Sequence, residues 1–239
     1  KKKKIVFYST PFDIESALFL NKIQKLFKIS SGDNNFLPLI KLIRTFNKPI
    51  VLSTGLLKYE EIKKIIKEFS NYNYKNKLAI LHCVSKYPAL NNDLNLNSIT
   101  FLKKKIPQYE IGYSDHSLTI DSCKAAMALG SYMVEKHFTL DKNISDFHDH
   151  KISANPKEFK ELVKFSNDIY EMLGKFQKFP KKSETKNIKN FRRSPYANKD
   201  ISKGSKIYFN DITWLRPIKI SACNNIKLIK NKKATNNIK

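Results

Sequence analysis

Six short apolar runs in this chain each end in residues able to hold anions, metals or protons. Ser9 and Thr10 follow the first. Lys28, Ser30, Ser31, Gly32 and Asp33 end the second, and Ser53, Thr54 and Gly55 the third. His82, Cys83, Ser85 and Tyr87 end the fourth, Ser114, Asp115 and His116 the fifth, and Glu135, Lys136 and His137 the sixth. Lys28 with Ser31, Ser53 and Ser114 supplies one cation and several hydroxyl donors. Gly32 and Gly55 would let backbone N–H groups approach an anion. Serines at such places also cap helices, so the set with Lys28, rather than any one serine, points to a phosphate or carboxylate cradle. His116 and His137 end successive runs. On neighbouring parallel strands about 5 Å apart, their imidazoles could share a divalent metal. Two His with water and substrate oxygens suit Mn²⁺, Mg²⁺ or Zn²⁺ in an open site. His82 reads as a core histidine satisfied by hydrogen bonds rather than a third ligand. His148 and His150 flank Asp149: either all three are solvated loop residues, or Asp149 reaches over the mouth of the site.

The elements that must position these groups follow from the apolar pattern. The runs Ile5–Tyr8, Leu26–Ile29, Ile50–Leu52, Leu78–Leu81, Glu110–Tyr113 and Tyr132–Val134 are brief and do not alternate, as strands buried on both faces of a parallel sheet read. Amphipathic stripes lie between them: Ile14, Ala17, Leu18, Phe19 and Ile23; Ile62, Ile65, Ile66 and Phe69; and Ala125, Ala126 and Leu129, with Asp121 as its cap and Gly130 as its stop. A longer one runs through Phe159, Leu162, Val163, Ile169 and Met172. A βα unit repeated six times predicts a parallel α/β architecture, barrel or doubly wound. Six reactive strand ends favour the barrel, whose C-terminal rim gathers all of them; a doubly wound sheet brings only two or three to one crevice. The barrel domain is expected over 1–174. A basic, Pro-containing linker follows over 175–190, and a small β-rich domain over 191–239.

Composition narrows the partners. The net charge is +24, yet only Arg44, Arg192, Arg193 and Arg216 are arginines, and the lysines are scattered. Nucleic-acid interfaces lean on Arg for bidentate contacts, so a solvated basic surface is the better reading. Cys83, Cys123 and Cys223 form no CxxC pair, which supports neither a disulfide framework nor a zinc ribbon and makes a reducing cytoplasm the expectation. No apolar run approaches the ~20 residues of a membrane span.

Several stretches, in order, resemble the sialic acid synthases. They are SerThrProPheAsp at 9–13, LysIleSerSerGlyAsp at 28–33, LysProIleValLeuSerThrGly at 48–55, LeuHisCysValSerLysTyrPro at 81–88, GlyTyrSerAspHisSer at 112–117 and GluLysHisPheThrLeuAsp at 135–141. ArgArgSer at 192–194 and LysAspIleSerLysGly at 199–204 resemble that family's antifreeze-protein-like (SAF) domain. The resemblance implies a (β/α)8 TIM-type barrel, with six of its strands present here, followed by the SAF domain. It implies condensation of phosphoenolpyruvate with N-acetylmannosamine or a related N-acylated amino sugar, giving a nonulosonate and phosphate. His116 and His137 match the metal ligands, with manganese expected and magnesium the alternative. Lys28, Ser31, Ser53 and Ser114, with Thr10, match the phosphoenolpyruvate-binding groups, and Tyr87 and Asp149 match positions near the sugar. Arg216 matches an arginine that the small domain of one subunit sends into the barrel of another, which implies a domain-swapped homodimer.

Three departures stand against that pattern. Asp33 occupies a place where the family has Glu, which shortens a catalytic arm by one methylene. Ile218, Lys219 and Ile220 replace a Gly-rich turn after Arg216. The family's first two barrel strands have no counterpart, and six strands cannot close an eight-stranded barrel; this span alone is expected to be inactive. The competing readings are another phosphoenolpyruvate-condensing sugar-acid synthase, against which the small C-terminal domain argues, and a degenerate or fragmentary paralogue that binds without turnover.

Overall fold

The computed structural model describes residues 5–70, 74, 77–218 and 229–239. The chain divides into two compact units, Lys1–Gly174 and Lys175–Lys239.

In the first unit five strands, β1 (Phe27–Ile29), β2 (Ile50–Ser53), β3 (Leu78–Cys83), β4 (Glu110–Asp115) and β5 (Val134–Lys136), lie side by side in chain order. Every neighbouring pair is parallel. The order never reverses, which removes the doubly wound alternative, because that fold needs a switch point. The sheet curls: the side chains of Lys28 on β1 and Glu135 on β5, its two edge strands, meet. The result is a parallel half-barrel, consistent with an incomplete TIM-type barrel.

Helices α1 (Ile14–Asn21), α2 (Leu37–Thr45), α3 (Tyr59–Ser70), α4 (Asn97–Lys105) and α5 (Asp121–Ala128) alternate with the strands, and α6 (His148–Ile152) and α7 (Pro156–Leu173) follow β5. On α3 the expected stripe Ile62, Ile65, Ile66 and Phe69 is buried, at helical spacing against the sheet. It joins Phe27, Ile29, Ile50, Leu52 and Ile80 from the strands in one apolar core. α7 starts on a capping box: Asn155 Oδ1 accepts from the Glu158 N–H and Glu158 Oε2 accepts from the Asn155 N–H, both at 2.9 Å.

The sequence reading needs four corrections here. Ile5–Tyr8 forms no strand, and Ile5, Val6 and Phe7 are exposed. A strand this short at a sheet edge has one neighbour to bond and no cover for its faces, which does not offset the cost of ordering it. The last strand is Val134–Lys136 rather than Tyr132–Val134, and β3 and β4 run two residues further than expected, through Cys83 and Asp115. Apolarity marks where a strand is buried, but the backbone ladder continues beneath polar side chains. Asp121 is the first helical residue of α5, not its cap; its N–H donates to Thr119 Oγ1. The other end is as expected: Gly130, at φ 81°, closes a Schellman motif in which Ser131 N–H reaches Ala126 O and Gly130 N–H reaches Met127 O. Finally, α1 buries only Ala17 and α7 only Leu162, while Leu18, Phe19, Ile23, Val163 and Met172 are exposed. These two helices flank the sheet edges, so only one side of each meets the core.

In the second unit the stretch read as a linker contains helix α8 (Lys182–Phe191), which buries none of its residues. Strands β6 (Ser194–Ala197) and β7 (Ile212–Leu215) pair antiparallel, and single bridges join Ile201 to Ile238 and Lys206 to Lys233. Ile201, Ile207 and Ala234 make a small core. Cys223, Lys219 and Ile220 lie outside the described residues.

Candidate active site

The C-terminal ends of β1 to β5 build one cup. Side chains alternate along a strand, so Lys28, Ser53, Ser114 and Glu135 can face inward while their neighbours face the helices. Lys28 is 7 % exposed, and its Nζ lies 3.3 Å from Glu135 Oε1. The same carboxylate oxygen accepts from Ser114 Oγ at 2.7 Å. Ser31 Oγ accepts from the Gly55 N–H at 3.0 Å. A side chain at Gly55 would collide with Ser85 Oγ and come within 2.7 Å of Ser31 Oγ, so glycine is needed for the two serine loops to approach. Asn34, 3 % exposed, holds that loop from behind through a 3.0 Å bond to Gly55 O. Ser53 Oγ and Ser85 Oγ are buried and have no hydrogen-bond partner among the described residues. Buried hydroxyls are normally satisfied, and two orphans on the strand-end rim that also carries the buried Lys28 mark a place built for a polar guest.

His116 and His137 stand just beyond the paired ends of β4 and β5, with ring centroids 5.4 Å apart. His116 Nδ1 lies 2.8 Å from Val84 O. As a donor to that carbonyl it fixes the tautomer that leaves Nε2 with a free lone pair. His137 Nδ1 lies 3.6 Å from Asp149 Oδ2. Burial lowers the pKa of His137 and the Asp149 charge only partly opposes this, so the ring stays neutral, as a metal ligand must. For His116, burial also pulls the pKa down, but Cys83 and the Val84 carbonyl outweigh it and leave the value raised. Cys83 Sγ is 3.8 Å from His116 Nδ1. Burial pushes the Cys83 thiol up, yet contacts with His116, Ser31 and Ser114 more than reverse this and hold it below its ordinary value. With Nε2 of His116 turned free by its Nδ1 bond to Val84 O, the two imidazoles form a donor pair that suits a divalent metal. Among the described residues no group of three or more His, Cys, Asp or Glu could hold one, so water or substrate oxygens would have to supply the remaining ligands.

Tyr87 closes the rim. Its ring centroid lies 4.1 Å from that of His116, 6.0 Å from His137 and 5.3 Å from His148. Asp149 sits on helix α6 rather than on a loop; its Oδ1 lies 3.0 Å from His148 Nε2 and its Oδ2 3.6 Å from His137 Nδ1. His82 Nε2 donates to Leu94 O at 2.8 Å and the ring stacks on Tyr113, as expected of a core histidine.

The structure thus brings together Lys28, Ser31, Ser53, Ser114, His116, His137, Tyr87 and Asp149. Three other candidates have local surroundings of their own. Thr10 is half-buried in a groove with Ser9, Phe12 and Phe19, and among the described residues no hydrogen bond ties it to the cradle. The Asp33 carboxylate is engaged locally by Ser30 Oγ. Arg216 is an exposed residue of the second unit, where its Nε donates to Phe191 O at 2.7 Å. Two residues of the cup carried no role in the sequence reading. Glu135 was visible only as the start of GluLysHis, and Ser85 only as one strand-end serine among several.

Comparison with known proteins agrees with this geometry. An N,N'-diacetyllegionaminic acid synthase of Campylobacter jejuni is 42 % identical over 219 residues, which is 91 % of this chain and 65 % of the relative. An uncharacterised protein of Methanocaldococcus jannaschii is 40 % identical over 97 % of this chain and 68 % of its own length. The chain therefore spans about two thirds of these relatives. The crystal structure of an N-acetylneuraminic acid (sialic acid) synthetase from Leptospira borgpetersenii, in complex with citrate, superposes with a TM-score of 0.74 at 36 % identity, over 78 % of this chain and 65 % of that one. The NeuB family model matches residues 1–178, covering all five strands and both imidazoles of the cup, and this chain belongs to the NeuB family.

Proposed function

We propose that the cup condenses phosphoenolpyruvate with N-acetylmannosamine or a related N-acylated amino sugar, with release of phosphate. The observation that carries this reading is the buried Lys28 on β1, with a Ser53 hydroxyl at the end of the neighbouring β2 that has no partner among the described residues, on the same rim as a pair of imidazoles. Such a floor fits a small, multiply charged anion, held by charge-assisted hydrogen bonds. The relatives named as synthases of legionaminic and sialic acids supply the chemical class.

His116 and His137 would hold manganese or magnesium, which acts when bound as a Lewis acid toward the sugar's aldehyde oxygen. Lys28, Ser31, Ser53 and Ser114 fix phosphoenolpyruvate so that its methylene carbon faces that aldehyde. The new carbon–carbon bond forms there. Water then adds to the cationic carbon, and phosphate leaves with cleavage of its C–O bond. Tyr87 and Asp149 line the side on which the sugar enters. Asp33 is proposed as a catalytic carboxylate one methylene short of the family's Glu, and Thr10 as a further contact to phosphoenolpyruvate. The second unit is proposed as an antifreeze-protein-like domain whose Arg216 enters the cup of a second copy, in a domain-swapped homodimer.

The test is phosphate release from phosphoenolpyruvate with Mn²⁺ and, in turn, N-acetylmannosamine and the diacetamido precursors of legionaminate and pseudaminate. Turnover with one of them is expected. Absence of both phosphoenolpyruvate binding and Mn²⁺ binding would sink the reading. A second reading, binding without turnover, is favoured by Asp33, whose shorter carboxylate is engaged by Ser30 Oγ; tight binding of both ligands with no phosphate released from any sugar would establish it.

A further inference from the structure

We infer that the buried Asp115–Lys136 ion pair is a positioning device that sets the spacing of the His116 and His137 rings. This rests on the reading of those rings as the metal-holding pair. Asp115 and Lys136 face each other as the last partners in the β4–β5 ladder. Beyond them no backbone pairing joins β4 to β5: His116 O accepts from the Ala89 N–H and His137 O from the Ala154 N–H, bonds that hold each histidine to another segment, so the alignment of the two with each other falls to what clamps the ladder's end.

The clamp is extensive. The two side chains are 0 % and 1 % exposed, and Lys136 Nζ bonds Asp115 Oδ2 directly. Lys136 Nζ also donates to Ser117 O at 2.6 Å and Thr119 O at 3.1 Å. It therefore ties the segment immediately after His116 to the residue immediately before His137. Asp115 Oδ1 accepts from Tyr113 Oη and Ser122 Oγ, each at 2.8 Å, and from the Ser117 N–H at 3.1 Å. Alternation places this network on the helix side of the sheet, behind the cup, where it touches no candidate substrate group. A buried ion pair is a poor source of net stability, because apolar residues of similar volume often do as well. Register is the better explanation: the pair forms only when β4 and β5 are aligned as observed. Groups behind metal ligands commonly change metal affinity 10–100-fold when altered.

The experiment compares Asp115→Asn and Lys136→Met with Ile43→Ala, a core variant on α2 far from β5. Two quantities are read for each: the imidazole ¹⁵N–¹H signals of His116 and His137 without metal, and the Kd for Mn²⁺ alone. Both pair variants should shift the ring signals and weaken Mn²⁺ binding by about 10–100-fold. Ile43→Ala should change neither at a comparable loss of Tm. Unchanged ring signals and Kd in the folded pair variants would overturn the inference. Should either fail to fold, Asp115→Glu and Lys136→Arg keep the charges but alter the reach. They must still move the ring signals more than Ile43→Ala does, and failure to do so overturns the inference equally. A wild-type protein that binds no Mn²⁺ while the ring signals still respond would sink the metal reading and leave the positioning role standing.

Discussion

Lys28 Nζ lies 3.3 Å from Glu135 Oε1, although the two residues sit on opposite edge strands of the sheet. In a flat sheet four strand spacings would separate them, about 19 Å, too far for the two side chains to bridge. Their contact requires the curl of a barrel, and it places the Lys28 ammonium over the centre of the cup. Lys28→Met should therefore act on anion binding above all. Truncating a buried charge that meets a charged partner costs about 2 kcal/mol or more, so the KM for phosphoenolpyruvate is expected to rise at least about thirtyfold. Steady-state kinetics at saturating sugar and metal would check this, and a KM within threefold of wild type would remove Lys28 from the cradle.

Ser53 separates function from stability in the opposite way. Its hydroxyl is buried and has no partner among the described residues, so its desolvation goes without a compensating bond there. Ser53→Ala removes that burden. Stability should stay level or rise by up to about 1 kcal/mol, while affinity for phosphoenolpyruvate falls because a donor has gone. Urea unfolding and calorimetric titration of the same preparation would show the two effects. A variant that loses stability while keeping its affinity would mean the hydroxyl serves the fold.

Much of this arrangement is legible in the sequence, for a physical reason. Strands buried on both faces appear as short apolar runs, and the polar residues that interrupt them, such as Ser53 and His116, must then lie at the rim. What is not legible depends on distance and register. Glu135 acquires its role from Lys28, a partner more than a hundred residues away that comes close only through the curl. The Asp115–Lys136 pair exists only once β4 and β5 are aligned. Ile5–Tyr8 reads as a strand because composition records apolarity but not whether a neighbour is there to pair with it. The stripes on α1 and α7 likewise show which side is apolar, not how much of it is covered.

Gly55 should tolerate no side chain. A Cβ there would collide with Ser85 Oγ and press on Ser31 Oγ at 2.7 Å and Ser31 Cβ at 3.0 Å. The hydroxyls can rotate away, but the β-carbon of Ser31 cannot without moving its loop. Gly55→Ala is expected to cost about 1–3 kcal/mol of stability. It should weaken phosphoenolpyruvate binding by more than the same loss of stability elsewhere in the core, since Ser31 is displaced with its loop. Measuring Kd and Tm together on Gly55→Ala and Ile43→Ala distinguishes the two; equal affinities would show that the close approach is incidental.

The capping box of α7 makes a pH-dependent contribution whose sign is determined by Glu158. Burial pushes its carboxyl up, but the Lys142 ammonium, at 2.8 Å, and the Asn155 N–H outweigh burial and hold it below the ordinary carboxylate range. A carboxylate with a depressed folded-state pKa stabilises fully above its unfolded value of about 4.3. That contribution disappears as pH falls through the folded value. Glu158→Gln retains the shape and the capping acceptor but removes the charge. It should be less stable than wild type at pH 7 by about 0.5–1 kcal/mol, the scale of a partly screened ion pair. The gap should close as the pH is lowered toward 3, where Glu158 is itself becoming neutral. Urea unfolding of the two proteins across that range gives the gap directly. A gap of the same size at both ends would mean that Lys142 and the Asn155 N–H gain nothing from the charge.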